Sequence, residues 1–234
     1  MAFERRFLRA LPFGTCVGVA LPEGAFELPE GLHPEEAAFA RALPEARRAG
    51  WVGGRVALRA ALAAIGVEAP EPILATARGA PRLPPEAVGS VSHKRTIAVA
   101  LAARASAPRA TVGIDVEELR PLRADIARRV LTADELADLP APGPAREAAV
   151  LLYFSAKEAI YKALDPWVQR FVAFDEAMLG RAPGGTLEAR LALARGEGPF
   201  SVEVLAISSQ DLGVEDLIVV AARIGRVSTG PRAG

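Results

Sequence analysis

Two carboxylates stand two residues apart in an apolar run, Val112-Gly113-Ile114-Asp115-Val116-Glu117. Side chains of a strand alternate faces, so Asp115 and Glu117 share one face while Ile114 and Val116 turn to the core. Neighbouring acids repel unless a cation lies between them, and Mg²⁺, with its preference for oxygen ligands, is one solution. Two solvated acids at a strand edge are the plain alternative. A second group is Phe154-Ser-Ala-Lys157-Glu158-Ala-Ile-Tyr161-Lys162-Ala163. On a helix Glu158 and Lys162 share a face at i and i+4. They read either as a surface salt bridge or as a carboxylate that binds metal or takes a proton, beside a lysine that holds phosphate. Third is Gly89-Ser90-Val91-Ser92-His93-Lys94, where hydroxyl, imidazole and ammonium gather. It is an anion-binding corner or a capped turn with an incidental histidine. Fourth are Arg47, Arg48, Arg55 and Arg59. Arg48, Arg55 and Arg59 share a face if a helix continues through the intervening glycines, and they suit phosphate or merely a solvated basic surface.

Lysine usage sharpens this. The chain has three lysines, Lys94, Lys157 and Lys162, against 25 arginines and 48 alanines. Where arginine is the default, a lysine marks a place that needs a compact point charge instead of a planar fork. Other chemistries are excluded. There is no Walker A or Gly-x-Gly-x-x-Gly pattern and no Gly-x-Ser-x-Gly elbow. One cysteine, Cys16, and two histidines, His33 and His93, make neither an internal disulfide nor a zinc cluster.

The elements that must place these groups follow from pattern and punctuation. Residues 1–12 read as an irregular start and 14–21 as a strand. Pro34, followed by two glutamates, opens a helix to about residue 48. Gly50, Gly53 and Gly54 interrupt it, and a second helix runs over 55–65 to Gly66. A Pro/Gly-rich loop covers 69–89, a buried strand 97–103 and a linker 104–110. The second half opens with a strand at 111–116. Thr132-Ala-Asp-Glu135 is a capping box. A helix over 145–164 is expected to stop at Asp165-Pro166. Strands follow near 171–178, 187–194, 200–207 and 217–224, the last wholly apolar and central. The tail 228–234 is expected to be disordered. The class is α+β.

With 234 residues the chain suits one large domain or two small ones. Apolar residues at 51% and charged residues at 24% give a folded globular protein. Basic and acidic side chains cancel at 28 each, which disfavours a generic polyanion coat and hence nucleic acid as a partner. No apolar run approaches the roughly 20 residues of a membrane span, and Pro12 and Gly14 break the first apolar stretch, against a signal peptide. A cytoplasmic location is expected.

Taken together, the four groups resemble the 4′-phosphopantetheinyl transferases, in the larger two-lobed type that includes siderophore-synthesis enzymes. The resemblance spans about residues 47–163. It rests on the Gly54-Arg55 helix with its upstream basic pair, Gly79-Ala-Pro81 leading to Gly-Ser-Val-Ser92-His93, Gly113-Ile-Asp115-Val-Glu117, and the Phe154–Ala163 segment. The last two, at this separation, are the specific ones. Two positions depart from the family: Leu83 replaces a usual tryptophan, and Lys94 a usual small residue.

The resemblance implies two pseudo-symmetric lobes, 1–108 with coenzyme A phosphate-binding residues and 109–234 with the metal and catalytic groups. Coenzyme A and Mg²⁺ would lie between them. It implies transfer of phosphopantetheine from coenzyme A to a serine of an apo acyl or peptidyl carrier protein, with release of adenosine 3′,5′-bisphosphate. Asp115, Glu117 and Glu158 would hold Mg²⁺, with Glu158 also the base. Lys162 and Lys157 would neutralise the pyrophosphate. Ser92, His93, Arg55, Arg47 or Arg48, and Arg78 would hold the coenzyme's phosphates. A monomer is implied, and Arg120, Arg123, Arg128 and Arg129 are the expected landing surface for an acidic carrier. An inactive coenzyme or carrier binder, and a Mg²⁺-dependent hydrolase of coenzyme A, are the alternatives.

Overall fold

The computed structural model describes residues 3–106, 108–121, 126–182 and 186–227. The first lobe contains β1 (Arg5–Leu11), β2 (Gly14–Ala20), α1 (Pro34–Ala42), α2 (Glu45–Ala64), β3 (Ala87–His93) and β4 (Ile97–Arg104). Its antiparallel sheet has the order β1-β2-β4-β3. The second lobe contains β5 (Ala110–Glu118), the short α3 (Ala127–Val130) and α4 (Ala133–Ala137), and the long α5 (Pro144–Val168). A 3₁₀ turn (Phe174–Glu176), the hairpin β6 (Ala177–Arg181) and β7 (Leu187–Leu191), β8 (Phe200–Ile207), α6 (Ser209–Leu212) and β9 (Leu217–Arg226) complete it. Its main sheet is β5-β9-β8, with β9 in the centre as its apolar run predicts. Setting aside β1 and the β6–β7 hairpin, both sheets place the strand before the long helix at one edge, the last strand in the middle and the strand before it at the far edge. This repeated order is the pseudo-symmetry that the resemblance implies. The expected disordered tail, 228–234, lies outside the described residues.

The expected helix break at Gly50, Gly53 and Gly54 does not occur. The chain breaks at Leu43-Pro44 instead, and α2 runs unbroken through the glycines. Three glycines in a helix cost about 1 kcal/mol each relative to alanine. Close approach to the sheet offsets that. A Cβ on Gly53 would lie 2.2 Å from Leu21 Cδ2 and 3.1 Å from Ala98 Cβ. In the second lobe the glycine is on the strand: a Cβ on Gly113 would lie 1.9 Å from the Ala159 carbonyl oxygen of α5.

Three other expectations change. Residues 5–11 form an edge strand, which needs only one anchored side chain, Phe7, and so shows little apolar alternation. Residues 174–176 form a 3₁₀ turn instead of a strand, because the Glu176 carboxylate takes the N–H groups of Ala173 and Ala194 and the guanidinium of Arg170. Helix α5 passes Pro166 and ends at Gln169 in a left-handed conformation, φ 49°. The extra turn is anchored by tertiary contacts: Trp167 donates from Nε1 to Thr111 Oγ1 at 2.6 Å and packs on Phe200.

Each long helix covers the outer face of its sheet. The inner faces meet each other: Cys16, Ile97, Val99 and Leu101 of the first sheet pack with Val112, Ile114, Val116, Val219 and Ala221 of the second. Strand β5 is therefore covered on both sides, and every residue from 110 to 117 is buried.

Candidate active site

Burial of β5 removes the solvated-acid reading. Asp115 is 4% and Glu117 7% exposed, and buried carboxylates require partners. Asp115 Oδ1 accepts hydrogen bonds from Ser92 Oγ and from Lys162 Nζ, both at 2.7 Å. Lys162 also donates to the Ile114 carbonyl at 3.0 Å. Lys94 Nζ lies 2.7 Å from Glu117 Oε1, an ion pair without hydrogen-bond alignment. Asp115 Oδ2 and Glu117 Oε1 are buried and accept no hydrogen bond. Glu158, one helical turn before Lys162, faces the same charges. Burial raises its pKa above the ordinary carboxylate range; Asp115 adds to the rise, while Lys162 and Lys94 oppose it. Burial raises Glu117 likewise, with Asp115 adding and Lys94 and Lys162 opposing.

These groups meet a cationic wall from the first lobe. A cleft of about 400 Å³ is bordered by Arg47, Trp51, Arg55, Gly79, His93 and Lys162. Arg55 is 4% exposed; its Nε donates to the Ile73 carbonyl at 2.6 Å and its guanidinium lies 4.4 Å from the Trp51 ring centroid. Burial, reinforced by Arg59 and opposed by Glu36, lowers Arg55 to about 10. His93 fits because position 50 is glycine: a Cβ there would lie 2.5 Å from its Nδ1. Desolvation, with the charges of Lys162, Lys94 and Arg47, lowers its pKa and favours the neutral ring. A larger groove, about 650 Å³, lies between β6–β7 and β8, and none of these charged groups borders it.

The residues predicted from sequence divide into two sets. Asp115, Glu117, Glu158, Lys162, Arg47, Arg55 and His93 come together around the cleft between the lobes. Ser92 also borders the cleft but in a different role, and the others are engaged elsewhere. Ser92 spends its only hydrogen on Asp115, so it orients the acid instead of donating to phosphate. Arg48 donates to the carbonyls of Ala40, Arg41 and Leu43 and finishes α1, which leaves Arg47 as the arginine at the cleft. Arg59 pairs with Glu36 at 2.7 Å. Lys157 is a correction of the same kind. Its ammonium donates to Glu135 Oε2 at 2.7 Å and to the carbonyls of Val130 and Phe174 at 2.9 Å, so its three hydrogens are used inside the lobe. Arg78 is held by Asp165. Arg120 pairs with Glu118 at 3.0 Å, and Arg123 lies outside the described residues.

Two site residues were missed or misassigned. Asp165 carried no signal beyond its place before a proline. Lys94, flagged by lysine scarcity and as part of the anion-binding corner, was not expected to pair with Glu117; the scarcity signal held throughout, since each of the three lysines pairs with a buried carboxylate, Glu117, Glu135 or Asp115. Among the described residues, no three His, Cys, Asp or Glu side chains converge as a ready-made metal centre. Lys94 and Lys162 stand between the acids. The orphaned Asp115 Oδ2 and the Glu117 carboxylate, which only Lys94 holds, nonetheless form an all-oxygen donor pair of the kind that suits Mg²⁺.

Comparison with known proteins follows the same lines. Residues 34–103 match the 4′-phosphopantetheinyl transferase N-terminal domain, and residues 111–219 the 4′-phosphopantetheinyl transferase superfamily. The transferase PptT of Mycobacterium tuberculosis is 35% identical over 175 residues, covering 70% of this chain and 76% of its own. The chain belongs to the 4′-phosphopantetheinyl transferase superfamily. Within it, the chain is 42% identical to Svp of Streptomyces mobaraensis over 165 residues, 68% of this chain and 65% of that protein. Enterobactin synthase component D of Salmonella typhi is 33% identical over 57% of this chain and 54% of its own length. A solved holo-(acyl-carrier-protein) synthase from Bacillus anthracis, in complex with CoA (3′,5′-ADP), overlaps half of this superfamily member at 20% identity and a TM-score of 0.41. No helix among the described residues is long and apolar enough to cross a membrane.

Proposed function

We propose that this chain transfers 4′-phosphopantetheine from coenzyme A to a serine of an apo acyl or peptidyl carrier protein, in a Mg²⁺-dependent reaction that releases adenosine 3′,5′-bisphosphate. The observation that carries the reading is the knot of Asp115, Lys162 and Ser92, with Asp115 Oδ2 buried and unpaired and Glu117 held by Lys94, beside a cationic cleft. Phosphoryl transfer asks chiefly for placement and charge neutralisation. Asp115, Glu117 and Glu158 would hold Mg²⁺, which when bound supplies polarisation of the pyrophosphate oxygens and offsets charge on the leaving group. Arg47, Arg55 and His93 would receive the coenzyme's phosphates, and Lys162 would neutralise the pyrophosphate. The serine oxygen forms a bond to the phosphorus of the pantetheine phosphate. The bond to the bridging oxygen breaks, and its electron pair leaves on the bisphosphate. Glu158, directly or through water, takes the serine's proton.

Intact-mass spectrometry of an apo carrier protein incubated with this chain, coenzyme A and Mg²⁺ tests the reading. A gain of one phosphopantetheine, abolished by chelator, is expected. No gain across carrier proteins of several pathways would overturn it, in favour of a binder if coenzyme A is retained intact and of a hydrolase if it is consumed. Glu117→Gln should raise the Mg²⁺ concentration needed for half-maximal rate; an unchanged requirement would remove Glu117 from the proposed ligands.

A further inference from the structure

A hairpin over residues 74–82 reaches from the first lobe to the long helix of the second. Ala75 and Pro81 make one antiparallel bridge. The Thr76 N–H donates to the Ala80 carbonyl at 2.8 Å, Gly79 to Thr76 at 3.0 Å and Arg82 to Leu74 at 2.8 Å. Gly79, at φ 87°, makes the tight turn. These bonds close the hairpin on itself and fix its shape without fixing its position. Among the described residues, the side-chain hydrogen bonds that tie it to another element come from Arg78. Its Nε and Nη2 donate to Asp165 Oδ1 of α5 at 2.8 and 2.5 Å, and Arg78 also interacts with Tyr161 of the same helix.

Asp165 follows Glu158 and Lys162 by seven and three residues, so one face of α5 presents all three. Its side chain is 13% exposed, against 38% for Arg78. Ala75 and Gly79 of the hairpin border the same cleft as Arg47, Arg55 and His93. An aspartate beside a cleft built from cations would by itself repel a polyanion. Paired with Arg78 its charge is cancelled, so attraction is not its use and placement is.

We propose that Asp165 is a positioning residue: through Arg78 it pins the 74–82 hairpin across the interlobe cleft and keeps Ala75 and Gly79 at the cleft's rim, where the phosphate end of the coenzyme is received. The role toward the coenzyme rests on the transferase reading above; the pinning does not.

Limited trypsinolysis reads the pinning directly, because Arg78 and Arg82 are both cleavage sites within the hairpin. Asp165→Ala should speed cleavage after them by up to about five-fold, the range for losing a partly exposed ion pair, with other sites and the melting temperature unchanged. Arg78→Ala should speed cleavage after Arg82 at least as much. The double variant should match Arg78→Ala, which removes the Asp165 pair together with the contact to Tyr161. Equal cleavage rates in wild type and variants would overturn the pinning. Calorimetric titration with coenzyme A reads the second half: Asp165→Ala should weaken binding by a similar factor. Faster cleavage with unchanged coenzyme affinity would overturn the positioning role. A wild-type chain that binds no coenzyme A would overturn the transferase reading and that role with it, while the cleavage rates still decide the pinning.

Discussion

The two lobes hold their long helices by the same device and use them for different ends. In the first lobe Glu36 closes a capping box with His33 at the start of α1, pairs with Arg59 of α2 at 2.7 Å, and accepts the Ile73 N–H at 2.6 Å. In the second, Glu135 closes a capping box with Thr132, pairs with Lys157 of α5 at 2.7 Å, and accepts the Leu179 N–H at 2.7 Å. Each carboxylate ties a short helix, the long helix and the chain that follows it into one unit. Counting onward from the paired cation, Ala60 and Ala64 of α2 stand where α5 carries Glu158 and Lys162. Strand β2 turns Val17 and Val19 toward its helix, where β5 turns Gly113, Asp115 and Glu117. The scaffold is present twice and the acids once. The first lobe contributes Arg47, Arg55, His93 and Lys94 and the second the carboxylates with Lys162, so the candidate site exists only where the lobes meet.

The largest effect should come from erasing that difference. Glu158→Gln keeps the shape and removes the proposed base, and should lower the transfer rate by about 10²–10⁴ while leaving the fold intact. A rate within a few-fold of wild type would assign the proton to another group. Lys157→Met tests the shared device. It strands Glu135 in the interior, and breaking a buried pair costs about 3–5 kcal/mol. Arg59→Met should cost less, because its side chain is 24% exposed, against 1% for Lys157. Melting temperatures measure both. If Lys157→Met left stability unchanged and raised the Michaelis constant for coenzyme A, the parallel between the two cations would fail and Lys157 would return to the site. The glycines sharpen the comparison further. Gly113→Ala drives a Cβ into α5 backbone, whereas Gly53→Ala meets the end of the Leu21 side chain. Overpacking of this kind costs about 1–3 kcal/mol, and Gly113→Ala should lie at the upper end and Gly53→Ala at the lower.

The duplication also explains what was legible in the sequence. Strand β9, the capping box at Thr132 and the alternation of Asp115 and Glu117 with Ile114 and Val116 are local patterns, and local patterns survive folding. The unbroken α2 was not legible, because helix propensity counts three glycines as a break and cannot see the sheet that needs them. Lys157 and Glu158 are neighbours in one motif, yet a helix turns successive residues about 100° apart. One enters the core and the other the cleft, and only the packing of α5 says which. The shared face of Glu158 and Lys162 was legible from their spacing, but the pairing of Lys162 with Asp115, 47 residues away on β5, was not. Nor was the role of Asp165, because its partner lies 87 residues away in a loop of another lobe.

The smallest effect concerns acid, and it tests whether the lobes are equally robust. The second lobe carries a buried ionic knot: Arg170 donates to both Glu176 and Glu197. Hydrogen bonding to Arg170, and then to backbone N–H groups, holds Glu176 down to about 2. A carboxylate depressed in the folded state contributes stability that is complete above its unfolded pKa, about 4.3, and is lost as the pH falls toward 2. Glu197, hydrogen-bonded to the same Arg170, is held down to about 2 as well, so acid removes two carboxylates from one knot. Hydrogen exchange followed between pH 5 and 2.5 should therefore show the amides of Ala173 and Ala194, which bond to Glu176, opening before that of Ile73, which bonds to Glu36. Arg170→Gln should abolish the order by removing the cation that sets it. Simultaneous opening in the wild type would mean that the inner sheet faces couple the lobes more strongly than one carboxylate can uncouple them.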